Sequence, residues 1–600
     1  MPRSLQPLPR RLRPGGEDGF TLVTVILLGV VMSIFLAANV AYMSFTMKSV
    51  QSDGDYHAAE AAAEAGIADY LARLNADPNY WTKLTAPAAG ADQSCWTNTD
   101  ITNKAFSAWV PLSGAPATAT GEMYRYCVNA AQGNSGRLLV TATGVSGAQT
   151  TGAHGGLTRT VQAHLALRPF TDYLWFTDHE IADPAYSYAW AGTSNVPAAC
   201  TSKYAWQWPT SGNPSTYSTC SQYGIAFTAG DVLNGKVHTN DTLWINTTAG
   251  QSPASFQSAV ETGCPRSTCP KGYVAKNNAT ATFANTGDPQ SVPVTPLPQT
   301  NLQLKSYATT STGCLFTGPT RIWLKSNGTM VVSSPYSKST YGCDNYRNGT
   351  GSVGFKAATM PLPANGVIYV QSIPTSTGDA NYSTAPNCSS YPYVNDPEGK
   401  QTAGFPLAND IGLNYGYFHC NYGDVYIDGV TSGQLTVAAD NINIVGNLTY
   451  AGATGTDVLG LVANNFVQVY HPVDSNGKDL LTGTAAGTCP KINYQISASL
   501  MALSHSITAE NYKNGTGCAS NVLNITGSML QLYRGAVGTS TQNQAGQASI
   551  ATGFLKNYQY DARLRHIQPP YISLLGNAGW SQDDQVESNR KYDATGTKLW

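Results

Sequence analysis

Charge is scarce in this 600-residue chain: Asp, Glu, Lys and Arg together make up 12% of it, with a formal net charge of -2. No basic stripe runs through residues 20–600, which argues against a nucleic-acid partner. The 12 cysteines include no CxxC pair. Cys264-Pro-Arg-Ser-Thr-Cys269 has no second pair nearby, so zinc, the competing use of these thiols, is not expected. There is no G-x-S-x-G, no HExxH and no phosphate-binding glycine loop. Asp474-Ser475-Asn476-Gly477-Lys478-Asp479 puts its glycine fourth rather than sixth and lacks a closing glutamate, so it fails as an EF-hand. Asp424 and Asp428 fall on one side of a short run, but each adjoins a glycine and no basic residue is near in sequence. No catalytic residue, metal site or cofactor is expected, and the chain is read as not an enzyme. Abundant Gly, Ser, Thr and Asn, with 34 tyrosines, fit an exported β-rich surface protein.

One long apolar run stands out. Phe20 to Met47 carries no charged side chain, and at about 1.5 Å per residue a helix of that length spans the hydrocarbon core of a bilayer. Arg3, Arg10, Arg11 and Arg13 precede it, an arrangement that keeps residues 1–19 cytoplasmic and sends the bulk of the chain outward. An ordinary secretory signal places its small-residue cleavage site after the apolar run. Here Gly19 lies before it, so a cut there removes only the basic leader and leaves a mature chain of net charge near -4. Past the run, Ala58, Ala61, Ala62, Ala65, Ile67 and Leu71 recur near helical spacing with Glu60, Glu64, Asp69 and Arg73 between them. Gly54 before Asp55 marks an expected kink or break.

Gly19-Phe20-Thr21-Leu22 resembles the prepilin signal of type IV pilins and type II secretion pseudopilins, and Ala59-Glu60-Ala61-Ala62-Ala63-Glu64-Ala65-Gly66 is similar to the matching segment of PilX-type minor pilins. The resemblance covers residues 15–75. It implies cleavage after Gly19 by a prepilin peptidase, methylation of Phe20, a stay in the inner (cytoplasmic) membrane as a single-pass protein, and assembly with other pilin subunits at the cell surface. In that family the fifth mature residue is usually a glutamate that neutralises a neighbour's buried amino terminus; here it is Thr24. A buried ammonium without a partner is costly, so Thr24 points to a minor subunit at the filament tip.

Exported cysteines oxidise. Clustering in neighbouring pairs makes the sequential set the expected one, because short loops close at low entropic cost. The pairs are Cys95 with Cys127, Cys200 with Cys220, Cys264 with Cys269, Cys314 with Cys343, Cys388 with Cys420, and Cys489 with Cys518.

Along the chain, 1–19 is the leader, 20–74 the transmembrane and assembly helix, and 75–168 a small pilin-like head. The head's β-rich runs at 124–128, 137–145 and 157–167 predict a three-stranded antiparallel meander on the helix. Residues 169–576 form a large mainly-β surface domain and 577–600 a polar, mobile tail. Phe170 to Pro184 opens the large domain as a buried strand with its acids, Asp172, Asp178, His179, Glu180 and Asp183, at an exposed end. Tyr186, Tyr188, Trp190, Tyr204, Trp206 and Trp208 either fill an insertion's core or offer stacking platforms to a surface glycan. Short β runs such as Gln434 to Tyr450 and Leu459 to Val469, with Asn and Gly at their ends, predict stacked rungs. A right-handed β-helix is the first reading and a β-sandwich the second. Asp561, Arg563 and Pro569-Pro570 predict a clasp across the solenoid's open end. The fold class is thus an α+β pilin module followed by a large β domain. Its rival is a membrane-anchored surface protein that binds or degrades polysaccharide.

Overall fold

The computed structural model describes residues 20–77, 80–112, 121–131, 137–146, 157–185, 196–208, 220–247, 252–276, 279–349, 354–384, 405, 407, 410, 421–452, 455–480, 493–513, 522–542, 548–572, 577–589, 591–592 and 597–599. They form a long N-terminal helix, a small sheet packed on that helix, and a large mostly-β region. The chain divides into two compact units. The first comprises residues 1–131, 138–165 and 582–600, and the second comprises 132–137 and 166–581.

In the first unit, α1 (Phe20–Ala76) is 57 residues long. It continues through Gly54, where open space surrounds the backbone, so the expected break is absent. Its buried face is Ala59, Ala62, Ala63, Gly66, Ile67, Tyr70 and Leu74, a helical stripe rotated from the expected one. Ala61 is exposed, while Ala58, Ala65 and Leu71 sit at its margins. An alanine-rich helix carries alanine on every face, so pattern alone does not fix which one packs. Contact with the sheet does. A Cβ on Gly144 would lie 2.0 Å from the Ala59 carbonyl oxygen and 2.5 Å from the Ala63 nitrogen, so α1 rests directly on the strand backbone there.

The sheet has five strands in the order Val110–Pro111, Met123–Asn129, Arg137–Ser146, Leu157–Pro169, Asn577–Ser588. The expected three-stranded meander is its centre. Its last strand corrects the expected mobile tail. Asn577–Ser588 is held by charge: Asp584 takes the His164 ring at 2.7 Å and Glu587 takes Arg159 at 3.2 Å. Lys591 is fully buried and donates to Ser94 at 2.7 Å. The large unit is therefore an insertion between two neighbouring strands of the small one, rather than a terminal addition.

The second unit is built mainly from parallel ladders, most of which link a strand to one further along the chain, with Thr320–Leu324, Thr329–Ser334 and Phe355–Pro361 paired antiparallel. In one ladder, Cys314–Thr317, Val367–Gln371, Gln434–Ala439, Val458–Ala463 and the later halves of Asn493–Ala502 and Val522–Arg534 follow in order. The next partner is Trp175–Ala182, from the start of the unit, followed by Val237–Thr239, Val260–Thr262 and Gln290–Ser291. A second ladder joins Thr320–Leu324, Asp424–Thr431, Asn441–Tyr450, Val467–Val469 and Ile507–Ala509. A third joins the earlier halves of Asn493–Ala502 and Val522–Arg534 to Leu555–Tyr560, Val232–Asn234, Ala254–Phe256 and Ala281–Phe283.

Strands covered on both faces read as unbroken apolar runs, and Val458–Ala463 is buried at every position. Leu435, Val437, Leu459 and Leu461 face the main core, while Ala438 and Val462 face an outer layer with Leu297, Leu304 and Ile572. Asn301 fixes that layer by donating to the carbonyls of Ala439 at 2.8 Å and Val462 at 2.9 Å. The expected clasp lies elsewhere than the open end. Ile572 and Pro569 pack over Gly460, and Thr436 donates to the Pro570 carbonyl, in the middle of the first ladder. Glycine at 460 leaves the room that brings this segment in, since a Cβ would lie 2.2 Å from Ile572.

Candidate functional site

The candidate residues concentrate in two regions, one in each unit. The first is the N-terminal half of α1. Every described large apolar side chain from Leu22 to Val50 is exposed, among them Leu22 at 64%, Phe35 at 67% and Phe45 at 74%. The helix is long and apolar enough to cross a membrane by length and composition. Its polar side chains turn inward on their own backbone: Ser33 donates to the Gly29 carbonyl at 2.7 Å, Asn39 to Phe35 at 2.8 Å and Thr46 to Tyr42 at 2.9 Å. In hydrocarbon, where water is absent, such i to i−4 bonds satisfy groups that would otherwise be left bare. Thr24 is exposed near the start of this helix. Gly19 lies outside the described residues, and Phe20 is the first helical residue.

The second region is the seam where Trp175–Ala182 is held between Val522–Arg534 and Val237–Thr239. The acids expected at an exposed strand end are largely buried there. Glu180 is fully buried and pairs with Arg534, itself 1% exposed, at 2.8 Å; Trp175 Nε1 donates to the other Glu180 oxygen at 3.3 Å. Arg534 also donates to the Ile225 carbonyl at 2.8 Å and covers the Phe227 ring at 3.6 Å. Asp183, fully buried, accepts from Ser506 at 2.7 Å and meets the His505 ring at 3.1 Å. A buried ion needs a partner, and the partners here lie more than 300 residues away in sequence.

Asp241 completes the seam. It accepts from the backbone nitrogens of Ala205 at 2.7 Å and Glu180 at 3.1 Å, and burial pushes its carboxyl up to about 8. Burial pulls the His179 ring below its usual range despite Asp178 beside it at 3.4 Å.

The expected aromatic platform is partly spent here. Tyr204 donates to Asp178 at 2.9 Å and stacks between His179 and Trp206. Trp206 Nε1 donates to the Asn240 carbonyl at 3.2 Å. Trp208 is 4% exposed beside the fully buried Trp244 and offers no face to a ligand. Tyr186, Tyr188 and Trp190 lie outside the described residues.

Four disulfides are present among the described cysteines: Cys95–Cys127 in the first unit, and Cys200–Cys220, Cys264–Cys269 and Cys314–Cys343 in the second. Cys388, Cys420, Cys489 and Cys518 lie outside them. Asp424 and Asp428 do not work together. Asp424 is buried, takes Asn441 Nδ2 at 2.8 Å and has its carboxyl held well above the usual range by burial. Asp428 pairs with Arg321 at 2.6 Å, a basic partner invisible to local sequence because it comes from the neighbouring strand. Among the described residues no three His, Cys, Asp or Glu side chains converge to hold a metal. Sequence reasoning missed Glu510, a buried carboxyl driven up by desolvation and by Asp410, and local pattern carries no sign of that pairing.

No family model matches the chain, and no curated protein matches it. Among solved structures it is similar to the crystal structure of the competence-associated pilin ComZ from Thermus thermophilus, at 12% identity, with 88% of this chain and 96% of that chain covered and a TM-score of 0.24.

Proposed function

We propose that the chain is a minor, tip-located type IV pilin-like subunit, held in the inner membrane by Phe20 to Met47 until it joins a filament that displays its large unit outside the cell. The single observation that carries this reading is α1 itself. A 57-residue helix is bare and apolar in its first half and packed on a small sheet in its second. An apolar surface of that extent calls for lipid or other helices. Gly19 ahead of that helix suits a prepilin peptidase, with Phe20 as the mature, methylated first residue. Thr24 in place of a glutamate suits a subunit with no neighbour beyond it, and a large inserted unit would obstruct a packed shaft.

The parallel ladders favour a β-solenoid over a β-sandwich, whose sheets are antiparallel. The crossover rule favours the right hand. The displayed unit is read as structural and adhesive, with surface glycans as the ligand class, rather than catalytic. The rival, an anchored polysaccharide-binding or polysaccharide-degrading protein, needs acids converging in one groove, and the separate partners of Asp424 and Asp428 speak against that pair.

The test is fractionation. In a pilus-forming host the chain should shear off with surface filaments when the prepilin peptidase is present and stay in the membrane when it is absent. A chain that stays in the membrane in both hosts overturns the reading.

A further inference from the structure

Where α1 emerges from its uncharged run, the first unit has a cavity of about 470 Å³ lined by Phe45, Lys48, Ser49, Ser52, Asp53, Tyr56, Leu157 and Arg159. From this cavity we infer a binding site for the headgroup of a zwitterionic phospholipid with a primary amine, of the phosphatidylethanolamine kind. The inference rests on the membrane-spanning reading of Phe20 to Met47.

Depth is the first argument. Lys48 is the first charged residue after the uncharged run, so it sits where the hydrocarbon ends and phosphates begin. Order of charge is the second. Asp53 lies five residues further out along the helix and lines the same cavity, so the cation lies nearer the hydrocarbon and the anion further out, the order of phosphate and terminal ammonium in the headgroup. The wall is the third. The Arg159 guanidinium lies 3.6 Å from the Tyr56 ring and 3.2 Å from Glu587, and the Tyr56 hydroxyl donates to Glu587 at 3.1 Å. That triad is fixed before any ligand arrives. Arg159 Nε is covered by protein and has no hydrogen-bond acceptor among the described residues. Phe45 and Leu157 supply apolar surface for the glycerol and first methylenes. Lys48 with Arg159 and Asp53 with Glu587 balance in charge, which fits a neutral headgroup better than an anionic one. A choline headgroup has no N–H to donate to these carboxylates. Such a contact holds the subunit at a set height in the bilayer until extraction into the filament strips the lipid away.

The experiment reconstitutes the full chain into nanodiscs of equal parts phosphatidylethanolamine, phosphatidylcholine and phosphatidylglycerol, then counts retained lipids by native mass spectrometry. Phosphatidylethanolamine should be retained about two- to fivefold over phosphatidylcholine, the range expected of exposed charge pairs. Lys48→Glu should abolish that preference, and Asp53→Asn should reduce phosphatidylethanolamine to the phosphatidylcholine level. Lys104→Glu, an exposed charge change on the head, should leave it intact. Equal retention of the three lipids, or a Lys48→Glu result matching Lys104→Glu, overturns the headgroup site while leaving the membrane reading in place. Paired copies with lipid retention unaltered by Lys48→Glu assign the groove to a second chain and also overturn it. A chain that fails to co-elute with nanodiscs overturns the membrane reading itself, and the site with it.

Discussion

Replacing Arg534 by Met should unlock the seam of the large unit. The side chain is 1% exposed and its partner Glu180 is fully buried, 2.8 Å away. Removing the cation leaves Glu180 with the Trp175 Nε1 bond at 3.3 Å but no counter-charge, and breaking a buried pair from one side costs about 3–5 kcal/mol. The carbonyl of Ile225, which accepts from Arg534 at 2.8 Å, also loses that donor. Adding Glu180→Gln removes the stranded charge and keeps an acceptor for Trp175. The double variant should therefore cost less than Arg534→Met alone, about 1–3 kcal/mol, set mainly by the unpaired carbonyl. Urea unfolding at pH 7 with disulfides intact, followed by near-ultraviolet circular dichroism, compares the unaltered protein, Arg534→Met, Glu180→Gln and the double variant and yields the coupling energy. If Arg534→Met costs under about 1 kcal/mol, or the double variant costs as much as the two single ones together, the pair does not hold the seam and the reasoning fails.

Gly144→Ala should lower the head's thermal stability by about 1–3 kcal/mol or more, because the new Cβ would lie 2.0 Å from the Ala59 carbonyl oxygen; an unchanged melting profile would mean that α1 does not rest on this strand. Ending the chain after Ser581 should open the head to protease near Leu157–Pro169, since the neighbouring strand and the buried Lys591 are lost. A truly mobile tail would be removed without effect. Asp241 has a folded-state value of about 8 against an ordinary 3.8, so the folded state holds a proton that the unfolded state has released. Its contribution is complete below about pH 4 and is lost as pH rises through about 8, by up to about 1.4 kcal/mol per pH unit. Asp241→Asn should remove that slope from the pH profile of unfolding, and parallel profiles for the two proteins would contradict the burial argument.

Local sequence carries the elements whose physics is local. The uncharged run from Phe20 to Met47 announces its helix by composition, and Gln434–Ala439 and Asn441–Tyr450 announce themselves as apolar and β-branched strands. The packed face of α1 is not legible, because alanine at 58, 59, 61, 62, 63 and 65 gives every face the same signal and Gly144 makes the choice. Order in the ladders is equally hidden. Trp175–Ala182 pairs with a strand some 350 residues later, and nothing in the spacing of Asp178, Glu180 and Asp183 tells that Arg534 and Ser506 will meet them. The polar segment from Asn577 to Ser588 reads as a tail because edge strands with charged side chains look like solvent-exposed chain. Its partners, His164 and Arg159, lie more than 400 residues earlier.

The most direct test of the whole account is the mass of the mature amino terminus. Produced together with a prepilin peptidase, the chain should begin at Phe20, methylated on its amino group, with Gly19 the last residue of the lost leader. A mature protein that starts beyond Met47, or one that keeps Met1 and its four arginines in the presence of active peptidase, would contradict it.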